Sequence, residues 1–97
     1  MKEKLQAIYS LLENEKRWTT HAEARDAAGE LVDPKSEKAV CWCLLGAIRK
    51  VSNTTDERVA LLVVLDNRLG QSLMTLALFN DFSTHQDILQ LIKGAME

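Results

Sequence analysis

Few side chains in this sequence could carry chemistry: two cysteines, Cys41 and Cys43, and two histidines, His21 and His85. Cys43 with His85 and Asn80 or Asp81 has the residue types of a Cys–His–Asn arrangement, in which a base takes the thiol proton and a third group orients the base. No spacing selects that set, and a small buried thiol is the commoner use of a free cysteine. The same four Cys and His side chains are zinc donors by type. On a helix, however, Cys-x-Cys turns its thiols about 200° apart, and no His pair has finger spacing. That geometry also rules out a bridge between the two cysteines, so both are expected to be reduced. The glycines are scattered and form no phosphate loop. No enzymatic activity, metal or cofactor is expected.

Two further sets involve surfaces. If Asp33-Pro34 opens a helix running to about Lys50, then Lys35, Lys38, Trp42 and Arg49 fall within about 60° of one another around it. A Trp ringed by cations could stack on a base or meet an acidic partner. The reading favoured over this is a core Trp whose rim is covered by lysine stems. On the following helix Val59 and Val63 flank Asp66, away from the leucine stripe. A helix that is apolar on more than one side either lies between two neighbours or meets a partner, a second copy included.

These residues must be positioned by a 97-residue chain that is 46% hydrophobic and 27% charged, with one Pro and four Gly. Such a chain is too apolar and too weakly charged to be disordered, and its length suits a single domain over residues 1–97. The net charge of −2 does not suit a general nucleic-acid binder, so nucleic acid is not expected as a partner. The charge is unevenly placed: residues 34–53 hold four basic side chains and one acidic. The start of the sequence has no apolar signal region and no run long enough to span a membrane, so a cytosolic location without membrane attachment is expected.

The expected fold is all-α: a compact bundle of four to five helices, with a short β-hairpin as an option near residues 22–32. Residues 2–14 read as a helix, with Leu5, Ile8, Tyr9 and Leu12, and Met1 just before it, on one face. Residues 19–33 read equally as an alanine-rich helix or as a reversal around Asp26–Gly29, where Gly supplies a positive φ. The 34–50 helix is apolar almost all round and is expected at the centre. Gly46 there costs about 1 kcal/mol in helix propensity, so the close approach of another helix is expected at that position. Thr54 or Thr55 caps a helix that ends at Gly70, with Leu61, Leu62, Leu65 and Leu69 as its stripe. Residues 72–79 suggest a short helix capped by Ser72, and residues 80–83 a turn. Thr84 with Asp87 resembles a capping box ahead of Ile88, Leu91, Ile92 and Ala95.

Taken in order, Trp18, Ala24-Arg25-Asp26-x-x-Gly29, Val32-Asp33-Pro34, Ala39-x-x-Trp42-Cys43-x-x-Gly46-Ala47 and Asn80-Asp81 resemble a family of short proteins of unknown function. Its members occur in bacteriophages, prophages and bacterial genomes. Many of them carry Trp where this chain has Phe79. The resemblance implies a mobile-element origin, and with it a non-enzymatic protein that binds a host protein, such as a defence component, and inhibits it. It also draws Arg25, Asp26, Asn80 and Asp81 together as short polar residues at two chain reversals. They form either a buried turn network, the favoured reading, or the edge of a pocket for a small polar ligand.

Overall fold

A computed structural model describes residues 1–70 and 75–97. The chain begins with helix α1 (Lys2–Leu12), whose Leu5, Ile8 and Leu12 fall on one face and are buried. A single 3-10 turn at Glu15–Arg17 ends α1's polar exit, and Asn14 caps it by accepting the Lys16 N–H. Two short strands follow, β1 (Ala24–Arg25) and β2 (Cys41–Trp42), then α2 (Leu44–Val51), α3 (Thr55–Leu69), α4 (Leu76–Phe82) and α5 (His85–Met96). The fold is thus a bundle of α-helices with a short antiparallel β element.

α5 lies against both α1 and α3, and α2 against α1, α3 and α4. Between them sit Leu5, Ile8 and Leu12 of α1, Leu44, Ala47 and Ile48 of α2, Leu61 and Leu65 of α3, and Ile88 and Ile92 of α5. Thr54 caps α3 through the Glu57 N–H, and Gly70 ends it. Thr84 and Asp87 form the capping box of α5. The expected boundaries of these two helices hold.

The centre of the chain differs from expectation. No helix runs from Pro34 to Lys50. Asp33 and Ser36 each turn their side-chain oxygen onto a backbone N–H two residues ahead, at Lys35 and Lys38. Ser36 N–H then bonds the Asp33 carbonyl and Ala39 N–H the Ser36 carbonyl, which makes consecutive turns instead of a helix. The β-branched and aromatic stretch after them is extended. Cys41–Trp42 pairs with Ala24–Arg25 in the register Ala24↔Trp42, Arg25↔Cys41. The helix starts only after Cys43, whose backbone is extended and whose Sγ accepts from Gly46 N–H at 3.3 Å.

The reversal at Asp26–Gly29 is present. Asp26 Oδ1 accepts from Ala28 and Glu30 N–H, both at 2.9 Å, and Gly29 has φ +82°. It brings Leu31 into an antiparallel bridge with Arg25, so the short hairpin offered as an option near 22–32 is present, and Ala24–Arg25 pairs further with 41–42. Gly46 does have a close neighbour: a Cβ there would overlap the Glu23 carbonyl oxygen. That neighbour is the chain entering β1, where a second helix was expected. The turn expected at 80–83 is another correction, because Asn80, Asp81 and Phe82 are the last residues of α4. The Ser72 cap lies outside the described residues; Thr75 caps α4 by accepting from Leu78 N–H.

Candidate functional site

Of the four polar residues singled out in the sequence, Asn80 and Asp81 bond each other, while Arg25 and Asp26 bond neither of them. The Asn80 side chain is fully buried at the end of α4. Its Oδ1 accepts from Trp18 Nε1–H at 2.7 Å and from Leu44 N–H at 3.0 Å. Its amide nitrogen donates to the Thr19 carbonyl at 3.1 Å and to Asp81 Oδ1 at 3.2 Å. An Asn side chain has two donors and two acceptor sites, so this one is fully used. Leu44 N–H is the first orphan amide of α2, and Asn80 caps it from a distant part of the chain.

Asp81 extends the network outward. Its Oδ1 accepts from His21 N–H at 2.9 Å, and its Oδ2 lies 3.3 Å from His21 Nδ1. Burial pushes the Asp81 carboxyl up, but the His21 N–H, the Asn80 amide and the His21 ring outweigh it and hold the group below its ordinary value. His21 itself has φ +62°, a left-handed conformation that costs a non-glycine residue about 1 kcal/mol or more. The bond that its N–H donates to Asp81 holds it there, and its ring meets Phe82 edge-on at 6.2 Å. Arg25 reaches the same loop from the other side, bonding Thr19 Oγ1 and the Thr20 and Gly29 carbonyls. Asp26 is occupied within its own turn. Asn80 and Asp81 therefore meet the 18–21 loop on one side and Arg25 meets it on the other. Asn80 has no group left to offer a ligand.

The thiol and the imidazoles are engaged separately. Burial pushes the Cys43 thiol up, away from the thiolate that a nucleophile requires. His85 Nε2 faces the Leu12 carbonyl at 2.6 Å, which fixes the proton on that nitrogen, and its ring packs on Trp18 at 5.6 Å. Among the described residues no three His, Cys, Asp or Glu side chains are grouped to hold a metal ion. No described helix is long and apolar enough to cross a membrane.

The basic–aromatic face does not form, because its residues do not share a helix. Trp42 is 6% exposed and donates its Nε1–H to the Pro34 carbonyl, so it presents no face for a base. Lys35 reaches the Ser52 carbonyl at 2.6 Å, and Arg49 pairs with Glu23 at 3.0 Å. Lys38 is exposed beside the Asp26–Ala28 turn.

The outer face of α3 is as the valine spacing suggests. Val59 is 48% and Val63 51% exposed, and Asp66 is exposed one turn further on. Val63 and Asp66 form one wall of an open groove of about 290 Å³. Leu62, Leu45 of α2 and the start of α4 at Thr75–Ala77 complete it. Sequence reasoning missed Leu45, Leu76 and Ala77 as groove residues, since their approach to α3 depends on where α2 begins. It also missed Leu78 and Phe82, exposed one turn apart on α4, because the short helix was expected to stop at 79 and Phe82 was read in the turn after it. Their i, i+4 spacing was the available signal.

The whole chain, residues 1–97, matches the model of a family of unknown function, DUF6197, and the protein belongs to that family. No curated protein and no solved structure matches it.

Proposed function

We propose that this member of the family is a small non-enzymatic interaction protein of phage or prophage type, acting in the host cytosol by binding and inhibiting a host protein such as a defence component. The observation that carries the reading is the outer face of α3, where Val59 and Val63 stand half exposed beside an apolar groove. Covering the remaining half of two valines is worth on the order of 2 kcal/mol. That is too little for a stable complex, so the groove beside them must be filled as well. The four polar residues favour a structural role over the small-ligand alternative, since Asn80 is fully bonded.

The test is a photo-crosslinking amino acid placed at Val63 and, as control, at exposed Lys16, with irradiation in host cells. The expected result is one discrete adduct with a host protein from position 63, absent from position 16 and abolished by Val59→Asp. The same adducts from both positions, or none from 63, would refute it. An adduct of twice the chain mass would replace the host partner by a second copy.

A further inference from the structure

The basic island of residues 34–53 does not form a face on one helix, but part of it reassembles around a pocket. Lys35 arrives from the turns before β2, Arg49 from the last turn of α2 and Arg58 from the first turns of α3. Together with Thr54 and Thr55 they line a cavity of about 210 Å³ beside the start of α3. Arg58 N–H bonds the carbonyl of Thr54, the extended residue that caps α3, at 3.1 Å. The acidic residues of the same turn, Asp56 and Glu57, line a second cavity toward Met1 and Lys4, and Glu57 also reaches the backbone N–H of Asn53, at the edge of the first, at 2.7 Å.

The three cations are not equally satisfied. Arg49 is neutralised by Glu23. Lys35 is held by the Ser52 carbonyl, which fixes its position and leaves its charge uncompensated. Arg58 Nε is shut off from water and has no hydrogen-bond partner, the one buried side-chain nitrogen or oxygen so placed among the described residues. A buried donor without a partner is a position at which an added acceptor is favoured. Two uncompensated cations facing one cavity favour a negative group. The cavity is smaller than the roughly 300–1,000 Å³ that drug-sized ligands fill, which suits an oxyanion or the terminal group of a larger molecule.

We propose that Lys35, Arg49, Arg58 and the Thr54–Thr55 turn form a binding site for a phosphate group, either inorganic phosphate or the phosphate end of a nucleotide. A small turn of the Arg58 side chain toward the bound oxygens supplies the acceptor that its Nε lacks. This site is separate from the α3 valine face and does not depend on that reading.

The experiment is calorimetric titration of the full chain with sodium phosphate and with adenosine monophosphate, each against sodium chloride of equal ionic strength. Saturable binding is expected for phosphate. Arg58→Met and Lys35→Met should each weaken it at least about tenfold, as loss of a charge-assisted hydrogen bond requires. Lys93→Met, on exposed α5 surface, should leave it unchanged. Tighter binding of the nucleotide assigns the group to a nucleotide, and equal binding assigns it to a free oxyanion. If Arg58→Met does not fold, exposed Lys35 carries the test alone. Absence of saturable binding to either ligand, or Lys35→Met binding like the wild type, overturns the proposal.

Discussion

Replacing Asn80 by Ala should remove a large part of this protein's stability. The side chain joins three segments: it receives Trp18 Nε1–H and Leu44 N–H, and it donates to the Thr19 carbonyl. Truncation leaves the Leu44 amide buried and unpaired, which costs about 1–3 kcal/mol. Trp18 and Thr19 are partly accessible and can recruit water, so each loses nearer 1 kcal/mol. The total is about 3–5 kcal/mol, against the roughly 5–15 kcal/mol that a domain usually has. Urea unfolding followed by circular dichroism should show a lower midpoint with an unchanged slope, the mark of lost stability without a change in compactness. Trp18→Phe removes one of the same bonds, so in a double-mutant cycle the two changes should be non-additive by about 1 kcal/mol. An Asn80→Ala loss below about 1 kcal/mol, or strict additivity with Trp18→Phe, would refute Asn80 as the centre of the network.

Other perturbations read other parts of the fold. Gly46→Ala gains about 1 kcal/mol of helix propensity yet should be net destabilising by at least about 2 kcal/mol, since the new Cβ meets the Glu23 backbone, which cannot swing aside; thermal melting checks the sign. Asp81 is held below its ordinary value when folded, so its contribution is complete above the unfolded value near 3.9 and is lost as pH falls through the lower folded one. Asp81→Asn should therefore flatten the fall in stability below about pH 4, leaving the part due to Glu57, whose carboxyl the Asn53 N–H also holds down. Iodoacetamide should alkylate Cys41 well before Cys43, because Cys43 is buried and its thiol is pushed up; peptide mass spectrometry after timed quenching gives the order.

Much of the architecture was legible where the signal is local. The caps at Thr54 and Thr84 and the Asp26–Gly29 reversal each depend on a few adjacent residues whose side chains bond their own backbone, and the Gly70 stop on that residue's positive φ. The errors fall where a distant partner decides. Asp33-Pro34 is a sound helix start by itself, but Trp42 is claimed by the Pro34 carbonyl on one side and by Ala24 across the strands, and no local signal encodes either. Once residues 40–43 are extended, α2 must begin at Leu44 with its amide already inside the core. It then needs an acceptor from elsewhere, which Asn80 supplies. The same shift explains the candidate surfaces. Lys35 and Arg49 cannot share a helix face with Trp42, yet shortening the helix to eight residues lets the preceding turns fold back past Ser52. The two cations then meet Arg58, a residue with no distinguishing pattern in the sequence. The valine face of α3 was readable because it is a property of one helix, whereas its groove was not, because that required knowing where α2 and α4 begin.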